Sequence, residues 1–282
     1  MAEIHHFTYG WFNPVVAFLM AFLGSLLGLV CTARARDSHS PGRRARWLGI
    51  AAVSIGGTGI WLMHFMAMLG FEVPDAAMRF DLTMTLVSMA LGVIPVAVGL
   101  FLVGWRNDTP PSRIIGGGVF TGLGVLGMHY TGMWGVRLGG EISFDPALVI
   151  ASAIVAVVAA TAALWFATTV RGWGPIIGAA TTMGVAVCGM HYTGMAAIEV
   201  KLSPMAGPVE GINPFTMIVP ITLLAAAALI GIFFSALQAM TEEEFDRARP
   251  EQKDNPDAAW TLRQVTLAAA MAAPTAEHTR VR

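Results

Sequence analysis

The sequence predicts an all-α, polytopic membrane helix bundle of about seven transmembrane helices, and three observations carry that expectation. Hydrophobic residues make up 55% of the 282-residue chain and charged residues only 12%, whereas soluble domains carry roughly 25% charge. Apolar runs of about 20 residues recur, the length that crosses the hydrocarbon core of a bilayer. The basic residues fall in short clusters between those runs, as topology signals do, which argues against a nucleic-acid surface.

The runs lie at 13–31, 47–69, 82–104, 114–135, 147–170, 175–198 and 215–238, each bounded by charge, Pro or Gly. The first begins at Asn13-Pro14 after polar residues without a basic leader, so it is expected to stay as a span and not to be cleaved as a signal peptide. Arg34, Arg36, Arg43, Arg44 and Arg46 separate it from the second run. Arg106 and Arg113 separate the third from the fourth, and Arg171 follows the fifth. The seventh leads into a polar segment, 239–282, that opens on Glu242-Glu243-Glu244 and has too little apolar surface to bury a core. Of the 17 Lys and Arg residues, all but Arg79, Arg137 and Lys201 fall on one side of this arrangement, while Glu72, Asp75, Asp81, Glu141, Asp145, Glu199 and Glu210 collect on the other. The positive side is cytoplasmic. Residues 1–12 are therefore expected outside, 13–238 in the membrane and 239–282 as a disordered cytoplasmic tail. Cys31 and Cys188 fall toward opposite faces, so no disulfide between them is expected.

An internal repeat carries the chemistry. Gly57-Thr-Gly-Ile-Trp-Leu-Met63-His64-Phe65-Met66-Ala-Met68 aligns without gaps on Gly122-Leu-Gly-Val-Leu-Gly-Met128-His129-Tyr130-Thr131-Gly-Met133 and on Gly184-Val-Ala-Val-Cys-Gly-Met190-His191-Tyr192-Thr193-Gly-Met195. Each copy closes an even-numbered span, so the unit is two helices and the bundle is three pairs plus one. All three histidines then reach one side of the membrane, on the order of 6 to 10 Å below the interface at 1.5 Å per residue. Residues four apart share a helix face, which sets His64 with Met68, His129 with Met133 and His191 with Met195.

Imidazole and thioether are soft ligands that together suit copper, whereas zinc would recruit Cys or carboxylate, and no Asp or Glu repeats in register. A single intramembrane His beside Met is ordinarily a packing residue. Three copies in register point instead to a shared site, because polar groups inside a membrane are costly. Duplication of a structural device, with His and Tyr hydrogen-bonded across helices, is the competing account. The motif glycines most simply let helices approach. Cys188 sits three residues before His191, but Trp61 and Leu126 hold that place in the other copies, so it is not expected to ligate. His5 and His6 lie on the outer side near a terminus and read as incidental.

The Met-His-Tyr-Thr strings at 128–131 and 190–193, with the degenerate Met-His-Phe-Met at 63–66, resemble the MHYT-domain family of bacterial membrane sensors over roughly residues 8–240. The resemblance implies a seven-helix sensor in the bacterial cell membrane that coordinates copper through Met63, His64, Met128, His129, Met190 and His191 and perceives oxygen, carbon monoxide or nitric oxide. Met68, Met133 and Met195 join that ligand set from helix spacing alone. Better-known members attach a cytoplasmic cyclase, phosphodiesterase or kinase. No nucleotide-binding or phosphotransfer motif stands in 239–282, so the expectation is a non-enzymatic chain acting through a separate cytoplasmic partner. Three other readings compete: a copper-handling or transport protein, which would need ligands at several depths, bis-histidine haem ligation, and a structural membrane protein without cofactor.

Overall fold

In a computed structural model, the described residues are 4–5, 8–74, 76–106, 109–203, 208–214 and scattered positions between 216 and 234. They contain six long helices. These are α1 (Phe12–Asp37), α2 (Pro41–Met68), α3 (Leu82–Gly104), α4 (Pro111–Trp134), α5 (Pro146–Thr169) and α6 (Trp173–Ala196). All but α4 are long and apolar enough to cross a membrane by length and composition. The glycines and Arg113 of α4 lower its apolarity. The expected seventh span and the segment 239–282 lie largely or wholly outside the described residues. The chain divides into two compact units, Met1–Ala228 and Leu229–Arg282, and all six helices belong to the first.

Within that unit each helix packs on its chain neighbours, and α6 returns to α1, closing a ring. The motif helices α2, α4 and α6 alternate around it. Residues 53–62 of α2 are π-helical, a wide and rare geometry; Gly56, Gly57 and Gly59 fall within this stretch and weaken the ordinary α-helical preference. Outward faces are apolar, with Ile94 on α3, Phe120 on α4 and Ile150, Ile154 and Val158 on α5 exposed. That is the surface a lipid-facing bundle presents.

Two helix boundaries differ from the apolar runs, since α1 continues past 31 to Asp37 and α2 starts at Pro41 instead of 47. Backbone hydrogen bonding does not stop where apolar sequence does, and the arginines of this stretch find helix ends to cap. Arg44 donates from Nε to the Ala35 carbonyl at 3.1 Å and from Nη1 to the Trp105 carbonyl at 2.8 Å. Arg36 donates to the Ala167 and Val170 carbonyls. Guanidinium groups thus sit at the C-terminal ends of α1, α3 and α5, where the helix dipole is negative.

The opposite end carries short antiparallel ribbons absent from the all-α expectation. β1 (Arg79–Phe80) pairs with β2 (Val136–Arg137), and β3 (Gly140–Phe144) with β4 (Ile198–Leu202). Backbone groups in loops must find partners somewhere, and here the connector before one helix pairs with the connector after a later one. Asp81 donates its N–H to the Gly135 carbonyl and Asp145 to the Ala197 carbonyl, each at 2.8 Å. The same two aspartates cap α3 and α5 through their carboxylates. The Met84 N–H, followed by the Arg137 side chain, holds the Asp81 carboxyl below its ordinary pKa.

A buried trihistidine cluster

His64, His129 and His191 meet. Each stands five or so residues before the end of its helix, and ring closure of the bundle turns the three motif faces toward one point. Their exposures are 1%, 0% and 1%. His64 Nδ1 lies 3.1 Å from His191 Nδ1 and 3.3 Å from His129 Nδ1. One ligand nitrogen from each of the three lies within 4.8 Å of the others. The rings stand nearly perpendicular, with interplanar angles of 83°, 81° and 87°. The aromatic residue after each histidine packs edge-on against it: Phe65 on His64, Tyr130 on His129 and Tyr192 on His191. The first copy therefore keeps the ring of the motif and loses only the hydroxyl.

This arrangement is awkward for three neutral imidazoles on their own. Each carries one N–H, so His64 Nδ1 can make only one well-directed N–H···N bond, and its other close nitrogen is crowded against it without a proton aligned between them. A small cation between them removes that repulsion, and metal–nitrogen bonds of about 2.0 Å would hold trigonal nitrogens about 3.5 Å apart, close to what is seen. The residues fit such an ion.

Were the three Nδ1 atoms to hold an ion, the proton of each ring would sit on Nε2. The Nε2 atoms of His64 and His129 are buried without a hydrogen-bond partner. Behind His64 lies Gly132, where a Cβ would come within 2.6 Å of Nε2, and behind His129 lies Gly194, where a Cβ would overlap the ring in the same way. These glycines stand three residues after the histidine of the next copy. Sequence reasoning assigned them to helix approach; their specific partner, the preceding copy's imidazole, is visible only in three dimensions. Metal ligands usually fix their tautomer through a hydrogen bond on the far nitrogen. Here the glycines behind His64 and His129 restrict ring orientation by contact instead.

The methionines are all buried: Met63, Met128 and Met190 at 0%, 1% and 1%, Met68, Met133 and Met195 at 2%, 0% and 3%. Met128 packs toward Gly92 of α3. Neighbouring hydroxyls tie the site together. Trp61 Nε1 donates to Ser88 Oγ at 3.1 Å, and Tyr130 Oη pairs with Ser152 Oγ at 3.0 Å. Ser88 and Ser152 hold corresponding places in α3 and α5, each seven residues after the aspartate that caps its helix. Cys31 is buried, Cys188 half-buried, and both are free. His5 exchanges backbone hydrogen bonds with Glu72, and His6 lies outside the described residues. Among the described residues, the three histidines are the one such group of His, Cys, Asp or Glu placed to share an ion.

A multi-pass helical membrane protein with a repeated Met-His motif converging on its axis defines the class. The MHYT repeat, described as the bacterial signalling protein N-terminal repeat, matches residues 57–117, 122–180 and 184–249, and the chain belongs to that family. Over 242 residues, 82% of the chain, it is 35% identical to the bifunctional diguanylate cyclase/cyclic di-GMP phosphodiesterase MucR of Pseudomonas aeruginosa, covering 34% of that protein. It is 32% identical over 211 residues, 72% of the chain, to the cyclic di-GMP phosphodiesterase NbdA of the same organism, covering 26% of it. It is 25% identical over 260 residues, 89% of the chain, to the signaling protein YkoW of Bacillus subtilis, covering 31% of it. The chain thus spans a third or less, approximately, of the length of these relatives. No solved structure gives a significant match.

Proposed function

We propose that the chain is a membrane sensor that holds copper through His64, His129 and His191 near the outer face and reports a diatomic gas (oxygen, carbon monoxide or nitric oxide) to a separate cytoplasmic partner. The observation that carries this reading is the approach of three buried Nδ1 atoms to 3.1 and 3.3 Å. A donor set of neutral imidazoles, with no carboxylate among them, balances no positive charge, which favours a monovalent soft ion such as Cu(I). Such an ion supplies a site where a diatomic ligand can bind. The protein's part is to hold the three Nδ1 lone pairs inward, exclude water and keep the Nε2 protons buried. The thioethers of Met63, Met68, Met128, Met133, Met190 and Met195 are the further ligands available around it. Haem is disfavoured, because a macrocycle cannot enter between rings whose facing nitrogens are this close. Transport is disfavoured too, since the described residues offer clustered ligands at a single depth.

Signalling in this reading runs from the cluster along α2, α4 and α6 to the arginine-rich end. In this reading that end is cytoplasmic and the N-terminus outside, which the concentration of basic residues there supports. The names of the relatives connect the family with cyclic di-GMP turnover, and a partner of that chemistry is the output this reading extends to the chain. The test is elemental analysis and absorption spectroscopy on detergent-purified protein reconstituted with Cu(I), beside His64→Ala, His129→Ala and His191→Ala. The expected result is about one copper per chain, lost in each variant, with spectra that change on exposure to carbon monoxide or nitric oxide. Copper content that is nil in the wild type, or equal in all four proteins, overturns the reading.

A further inference from the structure

Directly beneath the histidines, toward the arginine-rich end, lies an apolar cavity of about 50 Å³. Its position follows from helix register. Ile60, Val125 and Val187 line it, and each stands four residues before a motif histidine, on the same helix face and one turn below. Met190 lines it next to His191, and Ala156 and Ala160 of α5 form another part of its wall. The cavity therefore lies on the side of the cluster that faces the middle of the bundle.

The lining decides what can occupy it. A water needs about 10–15 Å³ and two to four polar partners. Space is sufficient, but the polar side chain in the lining is Thr121, and its hydroxyl already donates to the Pro95 carbonyl at 3.1 Å. A lining with so few polar partners favours small apolar solutes over water. The alanine wall belongs to α5, whose other side exposes Ile150, Ile154 and Val158 to the bilayer, and the cavity is partly open beside the half-exposed Ala159, Ala163 and Val187, so apolar gases dissolved in the bilayer can reach it.

We infer that this cavity is a binding chamber for an apolar diatomic gas taken from the bilayer, set one helical turn below the trihistidine cluster. The inference rests on the sensor reading for its purpose, but occupancy of the chamber is independent of any metal. The first experiment therefore uses the full chain, stripped of metal by chelator, in nanodiscs with labelled Ile, Val and Met methyls, titrated with xenon. Ile60, Val125, Val187 and Met190 methyl shifts should change and saturate with xenon pressure, while Ile150 and Ile154 change linearly as lipid-exposed groups do. Ala160→Leu, or Val187→Leu should the first misfold, should abolish the saturation. Linear shifts throughout, or water cross-peaks to the chamber methyls, overturn the chamber. Copper content measured on the unstripped protein tests the sensor reading separately. In protein that retains copper, the filled variants should slow carbon monoxide association at least tenfold at unchanged copper content, and an unchanged rate would remove the chamber from the gas path.

Discussion

An imidazole that turns Nδ1 toward two others aims Nε2 at whatever the next helix places behind it. For His64 that is Gly132, and for His129 it is Gly194. Adding a methyl at either position forces a ring to rotate away from the common point or the helices to part. Overpacking of this kind costs about 1–3 kcal/mol. Disturbing the groups that orient metal ligands typically costs 10–100-fold in affinity. Gly132→Ala and Gly194→Ala should therefore each weaken Cu(I) binding by about 10-fold or more in a chelator competition assay. Gly189→Ala is the control, because nothing lies within 4 Å of its added Cβ, and it should bind as the wild type does. Equal affinities in all three variants would show that the glycines only space helices. How much of this was legible beforehand is itself a residue-scale matter. Repetition exposed the histidines, because three polar residues in register inside apolar helices stand out. Ring orientation did not, since nothing in a one-dimensional pattern says which nitrogen faces inward. Gly132 and Gly194 were visible only as small residues, their partners being a full repeat away.

Between helices, what varies among the copies is how the motif helix is fastened to the helix that follows. The first copy uses Trp61 on Ser88, and the second uses Tyr130 on Ser152. The loss of the hydroxyl at Phe65 thus leaves Ser88 paired with an indole and not orphaned. Hydrogen bonds between membrane helices average about 0.6 kcal/mol in double-mutant cycles and reach about 1.7. A cycle of Tyr130→Phe and Ser152→Ala, read by unfolding in a detergent titration, should give a coupling of about 0.5–1.5 kcal/mol, and a value indistinguishable from zero would mean that the pair is merely adjacent. The helices themselves were readable from apolar run length because a bilayer sets that length. The arginine-bearing extensions of α1 and α2 were not, since several of their stabilising partners are carbonyl ends of α3 and α5 far away in the chain. The ribbons escaped notice for the same reason, each pairing joining connectors from different repeats.

At the scale of the molecule the two ends of the bundle differ in kind. One end gathers Arg34, Arg36, Arg43, Arg44 and Arg46 with Arg106, Arg113 and Arg171, and two of them, Arg36 and Arg44, bond helix C-termini. The other end carries the ribbons, and the histidines lie just beneath it. If the basic end is cytoplasmic, the cluster faces the outside and the read-out faces the cell interior, which is the order a sensor requires. Single cysteines at two exposed positions separate the two orientations. His39 lies in the connector between α1 and α2, and Glu141 lies on β3. In intact cells a membrane-impermeant maleimide should label Glu141→Cys, and should label His39→Cys only after the membrane is opened. Cys31 is fully buried and Cys188 partly so, and the wild type measures whatever background they contribute. The reversed pattern would place the trihistidine cluster at the cytoplasmic face, where a reducing interior and its copper-binding thiols would compete for the ion, and a copper site near the outer face would be overturned.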